Sequence, residues 1–152
     1  MPRWSVSVVA DTVLEVQRRL AGSPPDVFGF LTDQARYARW MGRSATLDPR
    51  PGGVYRVEMS DDVIAQGSYV ELIPHSLIVF TWGWVGSPDI PPGSSRVTIQ
   101  LEPDGDGTLL TLTHSGLPDD TAVAMHREGW DMYLDRLELL ASGAEPPALD
   151  HP

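Results

Sequence analysis

The sequence predicts an α+β domain in which a curved antiparallel sheet of six or seven strands wraps around one long C-terminal helix. Three observations predict it. Alternating apolar segments, separated by turn signals, follow one another between residues 54 and 114. An amphipathic helix pattern runs from Pro118 to about Ser142. Two short helical segments sit between the first alternating segment and the others. A strongly bent sheet must cover its concave face, and the final helix is available to do it. A helix about 10 Å wide fills such a sheet incompletely, so the space left between them is an expected cavity.

Each element has its own signal. Thr12 to Leu20 alternates, with Leu14, Val16, Arg18 and Leu20 on one face of a first strand. Ser23-Pro24-Pro25-Asp26 reads as a helix start, with Ser23 as N-cap and proline in the first turn. Val27, Phe28, Phe30 and Leu31 give that helix its apolar surface. Asp33 caps a second helix, Gln34 to Met41, which Gly42 ends. After the Pro51-Gly52-Gly53 turn, Val54 to Met59 alternates. Asp61-Asp62 turns the chain into a strand from Val63 to Ile73, with a bulge expected at Gly67 and Pro74 closing it. Leu77 to Trp84 is a strongly apolar strand, and the three prolines between Gly86 and Gly93 mark a loop. Arg96 to Leu101 and Leu109 to His114 alternate on either side of an Asp104-to-Gly107 hairpin turn. Those four residues superficially resemble a calcium loop, but the twelve-residue ligand pattern is missing.

The last helix opens at Pro118-Asp119-Asp120, with acidic residues at the positive end of its dipole. Its expected buried stripe holds Ala122, His126, Gly129 or Trp130, Tyr133, Leu137 and Leu140. Gly143 stops it, and Pro146-Pro147 leads into a loose tail. The domain is therefore expected over residues 12–142, with tails at 1–11 and 143–152.

Composition narrows the function classes. The 152 residues suit one domain with one core. Net charge is −10, from 21 acidic against 11 basic residues, which repels phosphate backbones and anionic membrane surfaces. Every basic residue is arginine, so lysine Schiff-base chemistry is excluded. Cysteine is absent, which excludes disulfides, thiolate nucleophiles and cysteine metal sites and fits a reducing cytoplasm. No apolar run approaches the roughly 20 residues needed to span a bilayer, and Met1 to Asp11 lacks a signal-peptide pattern. No cofactor is expected, because no phosphate-binding loop or dinucleotide fingerprint occurs, and no GxSxG nucleophile motif is present.

Several stretches resemble a known superfamily. They are Leu31-Thr32-Asp33 with Trp40 after it, Gly52-Gly53, Phe80-Thr81-Trp82, Leu112-Thr113-His114-Ser115-Gly116-Leu117-Pro118, Gly129-Trp130 and Tyr133-Leu134. Their order and spacing are similar to the helix-grip superfamily of START domains, birch-pollen-allergen-like proteins and polyketide cyclases. Within it they resemble most the group named after the activator of the Hsp90 ATPase. The resemblance implies the helix-grip fold. It leaves activity open, because such domains host lipid carriers, cyclases, hormone receptors and co-chaperones.

The candidate ligand-contacting residues are Trp40, Tyr55, Tyr69, Phe80, Trp82, Trp84, His114, His126, Trp130 and Tyr133. Trp82 and Trp84 share a strand face with Ile78 and Phe80, giving either an aromatic cavity wall or ordinary core. Tyr55 shares a face with Val57 and Met59, and Tyr69 stands on the next strand. His114 and His126 read either as an acid–base pair across the cavity or as two satisfied polar groups at its rim. A metal site with a carboxylate such as Glu71 is disfavoured, because no HExxH-type spacing occurs. Arg18, on an apolar face, either pairs with a carboxylate such as Glu71 or anchors a ligand's acid group. The leading expectation is a cavity that binds a small hydrophobic or aromatic molecule. The alternatives are a cyclase- or hydrolase-like enzyme using His114, His126, Tyr133 or Arg18, and a co-chaperone-type interaction module. The last requires a filled cavity and an exposed apolar patch.

Overall fold

The structure, a computed structural model, describes residues 12–147. The expected tail at 1–11, with its missing signal pattern, and residues 148–152 lie outside the described residues. The elements run β1 (Leu14–Ala21), α1 (Pro24–Thr32), α2 (Gln34–Met41), β2 (Ser44–Leu47), β3 (Val54–Glu58), β4 (Ile64–Ile73), β5 (Leu77–Trp82), β6 (Ser95–Asp104), β7 (Gly107–Ser115) and α3 (Asp120–Ala141). The seven strands form one antiparallel sheet in the order β1-β7-β6-β5-β4-β3-β2. This is the expected α+β helix-grip architecture.

The helix signals act as read. Ser23 caps α1 and accepts from the Asp26 N–H, and Asp33 accepts from the Ala35 N–H at the start of α2. Gly42 is the C-cap of α2, and glycine is needed there because a Cβ would stand 2.6 Å from the Glu58 carbonyl oxygen. α3 starts two residues later than expected, at Asp120, because Asp119 is its N-cap and accepts from the Ala122 N–H. Its buried stripe is Ala122, His126, Trp130, Leu134, Leu137 and Leu140. Of the two expected alternatives, Trp130 is the buried one, and Leu134 takes the place expected of the half-buried Tyr133.

Three strand expectations are corrected. β2 pairs with β3 where no strand was expected. β5 ends at Trp82 and not at Trp84. A Cβ on Gly83 would stand 1.8 Å from the Pro91 carbonyl oxygen, so the 86–93 loop folds back onto the chain there. Trp84 keeps only an isolated bridge to Ala65, with its N–H held by the Ile90 carbonyl at 2.7 Å. The irregularity of β4 lies between Tyr69 and Glu71 and not at Gly67. Gly67 pairs regularly with Tyr55, and its glycine is needed because the Thr81 carbonyl lies 1.9 Å from where a Cβ would stand. The hairpin at Asp104 to Gly107 is the expected turn, and Arg19 engages both its aspartates.

Arg18 does not pair with Glu71. β1 is one edge of the sheet and β4 lies four places away, so the two side chains never meet. α3 lies beside β1 instead, and Arg18 pairs with its Asp131, Asp135 and Glu138 at 3.4, 2.9 and 3.8 Å. The start of the expected loose tail is also tied down. Glu145 pairs with Arg39, and the Pro147 carbonyl accepts from Arg136. Arg136 also donates to the carbonyls of Arg39 and Trp40 at the C-terminal end of α2, where a cation suits the helix dipole.

The core between sheet and helices is rich in aromatic rings. Tyr55 stacks on Phe80 at 4.1 Å, and Tyr37 and Trp40 meet edge to face at 4.9 Å. The buried hydroxyls of Tyr37 and Tyr55 bond each other at 2.6 Å. Burial of Leu134, Leu137 and Leu140 fastens α3 to this core, at roughly 1.5–3 kcal/mol for each large side chain.

Candidate functional site

A cavity of about 410 Å³ opens between the first half of α3 and the far end of β5. Trp82 reaches it because it ends β5 on the concave face. Trp84 reaches it because the chain beyond Gly83 stays beside β4. Met59 and Val63 close the side at the β3–β4 turn. α3 supplies Met125, His126, Gly129, Trp130, Met132 and Tyr133. Gly129 makes the room, because nothing lies within 4 Å of where its Cβ would stand. The size is within the range of small-molecule sites.

The ten candidate residues divide in two. Trp82, Trp84, His126, Trp130 and Tyr133 line the cavity. Trp40, Tyr55, Tyr69 and Phe80 are buried in the core away from it, with Trp40 donating to the Phe30 carbonyl. His114 sits one layer behind the wall, fully buried. Met59, Val63, Met125 and Met132 line the cavity without having been candidates. Their signal was faint: Met125 and Met132 each stand one position before a residue of the expected stripe and widen the apolar face of α3.

Two tryptophan–histidine bonds organise the wall. Trp130 Nε1 donates to His114 Nδ1 at 3.0 Å. His114 Nε2 lies 2.8 Å from Ser95 Oγ, and that hydroxyl gives its hydrogen to the Trp82 carbonyl at 2.8 Å. The Ser95 oxygen must therefore accept, which puts the His114 proton on Nε2. Protonating Nδ1 would turn it against the Trp130 N–H. Burial, with the nearby His126 adding to it, pushes the His114 pKa down to about 3. The second bond runs from Trp84 Nε1 to His126 Nε2 at 3.0 Å, while His126 Nδ1 lies 2.8 Å from the Ala122 carbonyl. A carbonyl only accepts, so the His126 proton is on Nδ1 and the Nε2 lone pair faces Trp84. Burial lowers the His126 pKa also.

The two imidazoles meet edge to face, with ring centres 5.0 Å apart. Both are neutral, and all four of their nitrogens are engaged. The acid–base reading needs a lone pair free to take a substrate proton, and neither ring offers one without breaking a bond to tryptophan. The Tyr133 hydroxyl is held protonated by burial, its pKa raised. Among the described residues no group of three or more metal-ligating side chains comes together, and Glu71 is exposed on β4, three strands from the β7 that carries the buried His114. No helix among the described residues is long and apolar enough to cross a membrane.

Comparison with known proteins decides the family. Residues 21–142 match the family described as activator of Hsp90 ATPase homolog 1-like protein (AHSA1). The chain belongs to the AHSA1-like family. An AHSA1-like protein from Rhizobium etli is 42% identical over 92% of each chain, with a TM-score of 0.72. Two more distant structures share the AHSA1-like fold. The Aha1 dimer of Colwellia psychrerythraea is 16% identical over 85% of this chain and 95% of that one, with a TM-score of 0.74. An Hsp90 activator from Plasmodium falciparum is 22% identical over 86% of this chain and 96% of that one, with a TM-score of 0.71. No curated protein matches the chain.

Proposed function

We propose that this AHSA1-like domain binds a small hydrophobic or aromatic molecule in the cavity between sheet and α3. The observation that carries the reading is the cavity itself: about 410 Å³, walled by three tryptophans and three methionines around a glycine. Tryptophan faces suit flat molecules, and methionines adapt to flexible ones. The polar groups of the wall are few: Trp84 and His126 bond each other, Trp130 bonds His114 behind the wall, and the buried Trp82 N–H is without a partner among the described residues, a set that supports binding over acid–base chemistry.

The test uses an anilinonaphthalene dye and a medium-chain fatty acid as probes. Binding perturbs tryptophan emission and raises thermal stability, by about 2.7 kcal/mol at a probe concentration of one hundred times Kd. Gly129→Phe fills the cavity from a position where a side chain meets nothing. It should abolish both responses while the protein still melts cooperatively. Full probe binding by a folded Gly129→Phe variant would refute this site.

A protein partner is the second reading, in keeping with the activator function named for the Plasmodium relative. Its specific observation is the apolar rim: Met125 and Met132 are 58% and 40% exposed, beside exposed Val63 and Val85. That reading moves ahead if the probes leave both emission and melting unchanged.

A further inference from the structure

Taking the proposed cavity-binding role as its premise, the geometry points to a selection rule: the cavity prefers apolar molecules that carry one hydrogen-bond donor, a hydroxyl or N–H, which takes His126 Nε2 in place of the Trp84 indole. His126 is fixed as an acceptor at the cavity wall, where Trp84 now takes its lone pair. Its Nδ1 proton is committed to the Ala122 carbonyl one turn back at 2.8 Å, so Nε2 presents a lone pair. The other polar side-chain atoms of the wall do not supply a comparable acceptor. The indole N–H groups of Trp82, Trp84 and Trp130 only donate: that of Trp130 is already given to His114, and that of Trp82 is buried without a partner among the described residues, open to the oxygen of an alcohol or of an ether alike. The Tyr133 hydroxyl both donates and accepts and so imposes no rule.

Trp84 is the displaceable partner. Its backbone is anchored, with the N–H on Ile90 and the carbonyl taken by the Ser87 N–H. Its side chain is only partly buried and makes a single hydrogen bond, to His126 at 3.0 Å. Trp84 packs against Trp82 and His126 much as Trp130 packs against Trp82 and His114, but Trp130 is 2% exposed whereas Trp84 is partly open to solvent. Rotating the Trp84 indole outward gives its N–H to water, enlarges the cavity and uncovers the lone pair. A ligand with a donor restores that bond. A ligand without one either leaves Trp84 in place and loses the space, or leaves a buried acceptor unpaired.

Two bicyclic probes of one shape test the rule, 2-naphthol and 2-methoxynaphthalene, compared by isothermal titration calorimetry. The wild-type protein should prefer the naphthol about tenfold, the scale of one hydrogen bond between neutral groups. His126→Leu should bring the two affinities together. Trp84→Phe removes the competing N–H, so His126 has no internal partner, and the preference should widen towards about a hundredfold. The Trp84 indole N–H resonance, assigned by its loss in Trp84→Phe, should shift with the naphthol and stay with the ether. Equal affinities in the wild type overturn the selection rule while leaving the cavity reading intact. A tenfold preference that survives in His126→Leu places the acceptor elsewhere and also overturns it. If His126→Leu does not fold, an unchanged preference in Trp84→Phe has the same effect. Binding of neither probe removes both the rule and the cavity reading.

Discussion

Acidification tests the reading of His114 as a ring held neutral by its surroundings. In the unfolded chain this histidine titrates near its ordinary 6.5, whereas burial in the fold pushes it down to about 3. Below pH 6.5 the unfolded state binds a proton that the folded state refuses, so stability falls as pH falls and levels off only near the folded value. At about 1.4 kcal/mol per unit, going from pH 6.5 to pH 5 costs about 2 kcal/mol from this one group. For a domain of this size that is a fall of about 4–8 °C in Tm. His126, also lowered, adds to the loss in the same direction. The control is His114→Gln, whose amide keeps a donor and an acceptor but does not titrate. Urea melts of both proteins at pH 7 and pH 5 separate the contribution of His114 from that of every other titrating group. The wild type should lose about 2 kcal/mol more than the variant between the two conditions. Identical losses would show that His114 is not kept neutral, and the Trp130–His114–Ser95 relay would then be wrong.

Other perturbations have definite outcomes. A chain ending at Glu128 should aggregate or lack a cooperative melt, because it loses Trp130, Leu134, Leu137 and Leu140 from the covered face of the sheet; a soluble, cooperatively melting fragment would contradict this. Tyr37→Phe leaves the Tyr55 hydroxyl buried without its 2.6 Å partner and should cost about 1–3 kcal/mol in denaturant melts. Arg18→Met should cost no more than about 1 kcal/mol, and less in high salt, because the three carboxylates it meets are half-exposed or more. Elemental analysis should find no stoichiometric tightly held transition metal, as the lack of cysteine and of paired-ligand spacing implies.

The fold was legible wherever a local rule acts alone. Ser23 and Asp33 mark their helix starts because a side-chain oxygen beside an unpaired N–H is a local fact. The alternation of Leu110, Leu112 and His114 fixes their shared face in the same way. What escaped depended on distant chain. β2 is only four residues long and has one buried side chain, so its identity comes from pairing with β3 and not from its own pattern. β5 stops at Trp82 because the 86–93 loop returns onto Gly83, a contact no window of sequence contains. Arg18 needed the strand order: with β1 on the edge, the nearest carboxylates belong to α3.

The site shows the same boundary at finer grain. A period of two places Phe80 and Trp82 on one face, but it cannot say where along that face the packing opens. Phe80 stacks on Tyr55 at 4.1 Å and fills the core, while Trp82, two residues on, faces the room that Gly129 leaves. Residue type alone pairs the two histidines, and the structure separates them by the burial of their partners. Trp130 is locked in the core, so the bond it gives His114 belongs to the architecture. Trp84 is partly exposed, so the bond it gives His126 can be exchanged. One interaction therefore stabilises the wall and the other leaves an acceptor within reach of the cavity. The difference arises because Gly83 ends β5 just before Trp84, releasing that indole from the sheet while its backbone stays bound to Ile90.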